Sequence, residues 1–177
     1  MSFEFPMRVA KFEKVSFEQF REDFMNDLPE FYKNDEELKE IYDSIKLPER
    51  ATKDSAGYDF FAYMPITVPT DIGIVIPTGI RCKIATGWVL KTYPRSGQGF
   101  KYGAFEYNTV GIIDGDYYYA DNEGHIKIKL SARKNGLKID TGVGFCQGIF
   151  LPYGITEDDN VTTYRTGGLG STTKVKN

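Results

Sequence analysis

Ile72-Gly-Ile-Val-Ile-Pro-Thr-Gly-Ile-Arg-Cys-Lys-Ile-Ala-Thr-Gly-Trp-Val-Leu-Lys-Thr92 decides the fold. It holds three short apolar runs, Ile72 to Ile76, Ile80 to Ile84 and Trp88 to Thr92, rich in β-branched residues and parted by turns ending in glycine. Runs this short, bounded by turn formers, read as strands. The texture continues through Tyr107 to Ile113, His125 to Leu130 and Phe145 to Pro152. Prolines at 65, 69, 77, 94 and 152 and frequent glycines leave no room for a helix of ten residues between the runs, which argues against parallel βαβ units. The expectation is an all-β fold, an antiparallel sandwich or jelly roll.

Upstream the pattern changes. Ser16-Phe-Glu-Gln19 and Asn34-Asp-Glu-Glu37 each fit a capping box and predict two helix starts. Behind the first, Phe17, Phe20, Phe24 and Leu28 fall near helical spacing, and behind the second so do Leu38, Ile41, Tyr42 and Ile45. Such stripes pack on the main body or, alternatively, hold a partner. At the other end Tyr164 to Asn177 is rich in Gly, Ser and Thr with little to bury, the composition of a flexible tail.

The 177 residues suit one domain, with residues 1–163 as its body and 164–177 as an arm. A net charge of −3 opposes a nucleic-acid partner, because phosphate neutralisation needs a basic surplus. No apolar stretch reaches the length of a membrane span and the first ten residues lack a signal pattern, so a cytoplasmic protein is expected. Cys82 and Cys146 sit in apolar runs as buried hydrophobes, and with His125 the sole histidine they cannot supply clustered zinc ligands.

Five segments carry polar groups that a plain strand or turn does not need. Ser55-Ala-Gly-Tyr-Asp59-Phe-Phe-Ala62 alone is equally a turn entering a strand. Tyr93-Pro-Arg95-Ser96-Gly97 presents a guanidinium, a hydroxyl and free amides together, which suits a phosphate. Asn108-Thr-Val-Gly111-Ile-Ile113-Asp114-Gly-Asp116-Tyr117 puts two carboxylates on one side of an extended segment, one of them a candidate base, although Asp-Gly is also a hairpin signal. Gly142-Val-Gly-Phe-Cys-Gln147-Gly148 sets one amide in an apolar strand, where it needs a structural or a ligand partner. Arg165-Thr-Gly-Gly-Leu169-Gly170-Ser171-Thr172-Thr173 has the composition of a phosphate loop but not the Walker pattern.

In this order and spacing the five segments resemble the trimeric dUTPase family, over Leu47 to Thr173. The resemblance implies a jelly-roll-like β-clip or barrel and a homotrimer with sites at subunit interfaces. It also implies Mg²⁺-dependent hydrolysis of dUTP to dUMP and pyrophosphate, which keeps uracil out of DNA and supplies dUMP. By position Asp114 matches the general base that takes a proton from the attacking water, and Tyr117 the ring beneath the deoxyribose. Asn108, with Gly111, Ile113 and other groups of that hairpin, matches the uracil reader. Ser96, Gly97 and Gln147 match phosphate contacts, Arg95 a site-organising residue, and Asp59 a supporting acid. Arg165 resembles the γ-phosphate contact, and Gly170, Ser171 and Thr172 the amides and hydroxyls that wrap phosphates, ordering when a triphosphate binds. Mg²⁺ is then held by the phosphates and water.

Three departures stand out. Leu169 replaces an aromatic ring over the uracil, Tyr118-Tyr119 replaces an Arg-Gly pair, and Gly144 replaces a basic residue. Residues from about Ser16 to Ile45 interrupt the family's opening strand, near Val9 to Val15, as a two-helix insert expected to pack on the outside of the barrel. Two rivals share the fold: a dCTP deaminase, whose deaminating Glu motif is not evident, and a nucleotide-sensing interaction protein that uses the insert.

Overall fold

The computed structural model describes residues 6–163, 165 and 167. The strands are β1 (Ala10–Lys14), β2 (Glu49–Arg50), β3 (Tyr58–Phe61), β4 (Ile66–Thr67), β5 (Ile74–Pro77) and β6 (Ile80–Ile84). They continue with β7 (Trp88–Pro94), β8 (Phe105–Glu106), β9 (Gly111–Ile113), β10 (Lys127–Ser131), β11 (Lys138–Ile139) and β12 (Gly144–Pro152). The largest sheet has the order β2-β3-β12-β7-β9, a second is β5-β10-β8, and β1-β6 and β11-β4 form two-stranded ribbons. Every strand pair is antiparallel. In β6, Ile80, Cys82 and Ile84 are buried while Arg81 and Lys83 face outward, the period-two pattern of a half-buried strand.

The helices start where the caps predict. Ser16 Oγ accepts from the Gln19 amide at 3.1 Å at the head of α1 (Phe17–Asp27), and Asn34 Oδ1 from the Glu37 amide at 2.8 Å at the head of α2 (Asp35–Ser44). Each capping box is only half formed: the Ser16 amide donates to Glu123 Oε2 and the Gln19 side chain to Asp23, while Glu37 Oε1 accepts from the Asn34 side chain at 3.3 Å. Phe20 and Phe24 are fully buried, with Phe20 packed on Tyr63 and Tyr42, so both helices belong to the same core as the strands.

Three expectations need correction. The run Ile72–Ile76 becomes strand only at Ile74, since Asp71 and Gly73 take positive φ and leave Ile72 exposed. Tyr107–Ile113 is not one strand: Thr109 has φ 68°, and the turn it makes carries the chain from β8 in one sheet to β9 in another. His125 precedes its strand rather than opening it. A short helix, α3 (Ser96–Tyr102), was not foreseen, because Gly97 and Gly99 disguise it as a turn.

His125 is buried and accepts the Gly79 amide on Nε2 at 2.7 Å, so its proton sits on Nδ1 and is donated to Asp23 at 2.6 Å. Lys127 closes ion pairs to Asp23 and, at 2.9 Å, Asp27. Burial pushes the Asp23 carboxyl upward, but the hydrogen bonds from His125 and Lys127 outweigh it and hold it at about 2, below its ordinary 3.8. The stability this contributes is complete above about pH 4 and is lost as pH falls through 2. Asp23→Asn is therefore expected to remove part of the acid-induced loss of stability, read as a flatter dependence of melting temperature on pH between 4 and 2.

Candidate active site

Asp114 follows β9 and stands at the N-terminal cap position of a 3₁₀ turn, Gly115–Tyr119, in which the Tyr117 amide donates to the Asp114 carbonyl at 3.2 Å. The expected extended segment or hairpin is therefore a helical turn that leaves the Asp114 side chain 47% exposed, open to water. Tyr117 lies buried, its hydroxyl donating to the His125 carbonyl at 2.8 Å and accepting from Asn122 at 2.9 Å. Burial raises the Tyr117 phenol, so the ring is neutral and held from behind. Arg165 Nη2 meets Asp114 Oδ2 at 2.8 Å, its Nε lies 3.6 Å from Asp116, and its guanidinium is 5.7 Å from the centre of the Tyr117 ring. Ile112, Ile113, Tyr117, Ile126, Lys127 and Arg165 line a cavity of about 40 Å³ there. Asn108 is exposed in the turn just before, with the Thr109 amide bonded to the Glu106 carbonyl at 2.9 Å.

A second cluster surrounds a larger cavity of about 300 Å³, whose lining includes Arg95, Ser96, Gly97, Gln98 and Gly144. Ser96 and Gly97 open α3 and are exposed, while Arg95 Nε pairs with Asp59 Oδ1 on β3 at 3.3 Å. Gly144, which replaces a basic residue of the family, leaves room beside it, since a Cβ there would stand 2.8 Å from the Arg95 guanidinium and make that side chain shift. Gln147 lies opposite Asp59 in the β3–β12 register, donates to the Pro94 carbonyl at 3.3 Å, and rests on Gly57, whose Cβ would come within 2.6 Å of its amide oxygen. The second and fourth segments thus line one cavity, with the first joined to it through the Asp59–Arg95 pair, and the third meets Arg165 around another. The two cavities share no lining residue. Leu169, Gly170, Ser171 and Thr172 lie outside the described residues.

Sequence reasoning missed Glu106, a buried carboxyl facing Thr92, Gly111 and Cys146. Burial pushes it up, and those donors offset this only in part. The available signal was a single acid inside the apolar stretch Ala104-Phe-Glu-Tyr107. It also missed His125 and Asn122 as supports of Tyr117.

An antiparallel β protein with an exposed carboxylate paired to Arg165, and a guanidinium lining each of two cavities, has the groups that meet an anionic ligand. The family model described as dUTPase matches residues 43–173. The deoxyuridine 5'-triphosphate nucleotidohydrolase of Lactococcus lactis is 38% identical over 133 residues, covering 72% of this chain and 88% of that protein. The crystal structure of dUTPase from Streptococcus mutans, 29% identical, superposes with a TM-score of 0.57 over 82% of this chain and 98% of that one. A mutant dUTPase from phage phi11 of S. aureus, whose structure details coordination of a structural Mg(II) ion, shares the fold at 21% identity and a TM-score of 0.54, over 68% of this chain and 92% of that one. The chain belongs to the dUTPase family.

Proposed function

We propose that the protein hydrolyses dUTP to dUMP and pyrophosphate in the cytoplasm, with a water activated by Asp114 attacking the α-phosphorus. The observation that carries this is the exposed Asp114 carboxylate, linked through Arg165 to the buried Tyr117 ring, in a chain whose family is the dUTPases. Asp114 is the base, Tyr117 the floor beneath the deoxyribose, and Asn108 with Gly111 and Ile113 the reader of the uracil edge. Arg95, Ser96, Gly97 and Gln147 receive phosphates, with Asp59 steadying Arg95. The division of these groups between two cavities supports a site completed by a neighbouring chain, as in a homotrimer with interfacial sites.

Arg165 gives this reading a sequence of events. Its guanidinium rests on the base, and an incoming triphosphate offers it a denser negative charge. Transfer of Arg165 to the outer phosphate frees Asp114 for water. Gly170, Ser171 and Thr172, on the arm formed by residues 164–177, add amides and hydroxyls to those phosphates, and Leu169 covers the base. Among the described residues no three His, Cys, Asp or Glu side chains gather as metal ligands, and the Asp59 and Asp114 carboxylates both face arginines. The residues present fit an Mg²⁺ carried by the nucleotide's phosphates rather than held in a protein cage, where it would neutralise phosphate charge.

The finer architecture follows the same reading: a jelly-roll-like β-clip, with residues 16–45 an insert ahead of the five polar segments. The family match begins at residue 43, after most of the helical pair. No helix among the described residues is long and apolar enough to cross a membrane. Pyrophosphate release from dUTP, dTTP, dCTP and UTP measured side by side tests the function. Strong preference for dUTP is expected. Ammonia release from dCTP, or tight dUTP binding without turnover, would overturn it.

A further inference from the structure

Glu106 stands where the chain leaves β8 for the turn that precedes β9, and it is only 2% exposed. Its Oε2 accepts from the Thr92 hydroxyl at 2.9 Å and the Gly111 amide at 3.2 Å, and its Oε1 faces the Cys146 thiol at 3.3 Å. Its own carbonyl accepts the Thr109 amide at 2.9 Å. One residue therefore closes the turn 107–110 twice, through its backbone and through its side chain. The sheet does not need this carboxyl, since the β8–β10 pairing is made by backbone, and an apolar side chain would fill the space without the desolvation a carboxyl suffers. Nor is the fit loose: a Cβ on Gly111 would stand 2.1 Å from Thr92 Oγ1 and 3.2 Å from Glu106 Oε2. The turn so closed is the one that presents Asn108.

We propose that Glu106 is a positioning residue for base recognition, fixing Asn108 and the Gly111 backbone against the uracil edge and so governing KM and base discrimination rather than the chemical step. The inference rests on the dUTP-hydrolysis reading above. A turn that contacts a non-reacting part of the substrate acts alike on ground and transition states, so its loosening raises KM and spares kcat.

In the full-length protein, Glu106→Leu removes the acceptor at similar volume. The expected result is a KM for dUTP about tenfold or more higher, a comparable loss of preference over dCTP, and kcat within about threefold of the parent. Glu106→Gln, which keeps an oxygen for Gly111 and Thr92, restores both. Should the leucine variant not fold, Glu106→Asp keeps a carboxyl but withdraws it from the turn, with a KM rise of about threefold or more expected. An unmoved KM in the folded variants, or a kcat that falls as far as kcat/KM, overturns the proposal. So does a Gly111 amide that exchanges with solvent no faster in Glu106→Asp than in the parent, a measurement independent of turnover. A parent protein that releases no pyrophosphate from dUTP sinks the hydrolysis reading and this inference with it. Normal parental turnover with an unmoved variant KM sinks this inference alone.

Discussion

Asp114→Asn is expected to lower kcat for dUTP by about 10²- to 10⁴-fold while leaving nucleotide binding within a few-fold of the parent, because a positioned general base contributes on that scale and an amide cannot take the proton. The substitution is nearly isosteric, and the Asp114 side chain makes no hydrogen bond to the 3₁₀ turn it heads, so the local backbone does not depend on its charge. What it does lose is the ion pair with Arg165. That loss gives the experiment a second readout: with its carboxylate partner neutralised, Arg165 is easier to recruit to phosphate, and affinity for a non-hydrolysable dUTP analogue should hold or rise. Rapid-quench turnover and calorimetric binding on the same preparation check both. Undiminished turnover by the variant removes Asp114 as the base. A parallel collapse of binding makes the carboxylate a structural group instead.

What was legible is local: the Arg95-Ser-Gly97 and Asp114 segments stand out within a few residues, although the first opens α3 and the second enters a 3₁₀ turn, and the two helix caps are read from side chains three residues apart. The strands were legible for the same reason. What escaped depends on contacts between distant parts of the chain or on unusual backbone. Thr109 takes a positive φ that threonine rarely adopts, so an apparently continuous strand hides a crossing between sheets. Asp23 and His125 lie 102 residues apart and look unremarkable until α1 brings them together behind Tyr117. The partition of the site between two cavities is a property of the folded chain that no spacing of motifs contains.

Phe20→Ala is expected to cost about 3–5 kcal/mol of stability, the range for deleting a buried aromatic ring, which for a chain of this size lowers the melting temperature by roughly 10 °C. Phe20 is fully buried, and its ring lies 5.7 Å from that of Phe24, 5.5 Å from Tyr63 and 6.2 Å from His125, joining α1 to the strand-borne core. Gly79 faces it closely enough that a Cβ there would sit 3.4 Å from the ring, so little can collapse into the space left behind. Met25, on the exposed face of the same helix, serves as the control: Met25→Ala should stay within about 0.5 kcal/mol of the parent. The comparison separates two views of the helical pair. If its apolar stripe existed to seat a partner, the isolated protein would tolerate the loss of Phe20 about as well as that of Met25. Because the stripe is already filled by Tyr63, His125 and α2, the helices act as a wall of the core, and through the His125 carbonyl they brace the Tyr117 ring. Melting of the two variants in the absence of any nucleotide decides between these views, and equal melting temperatures would refute the packing role.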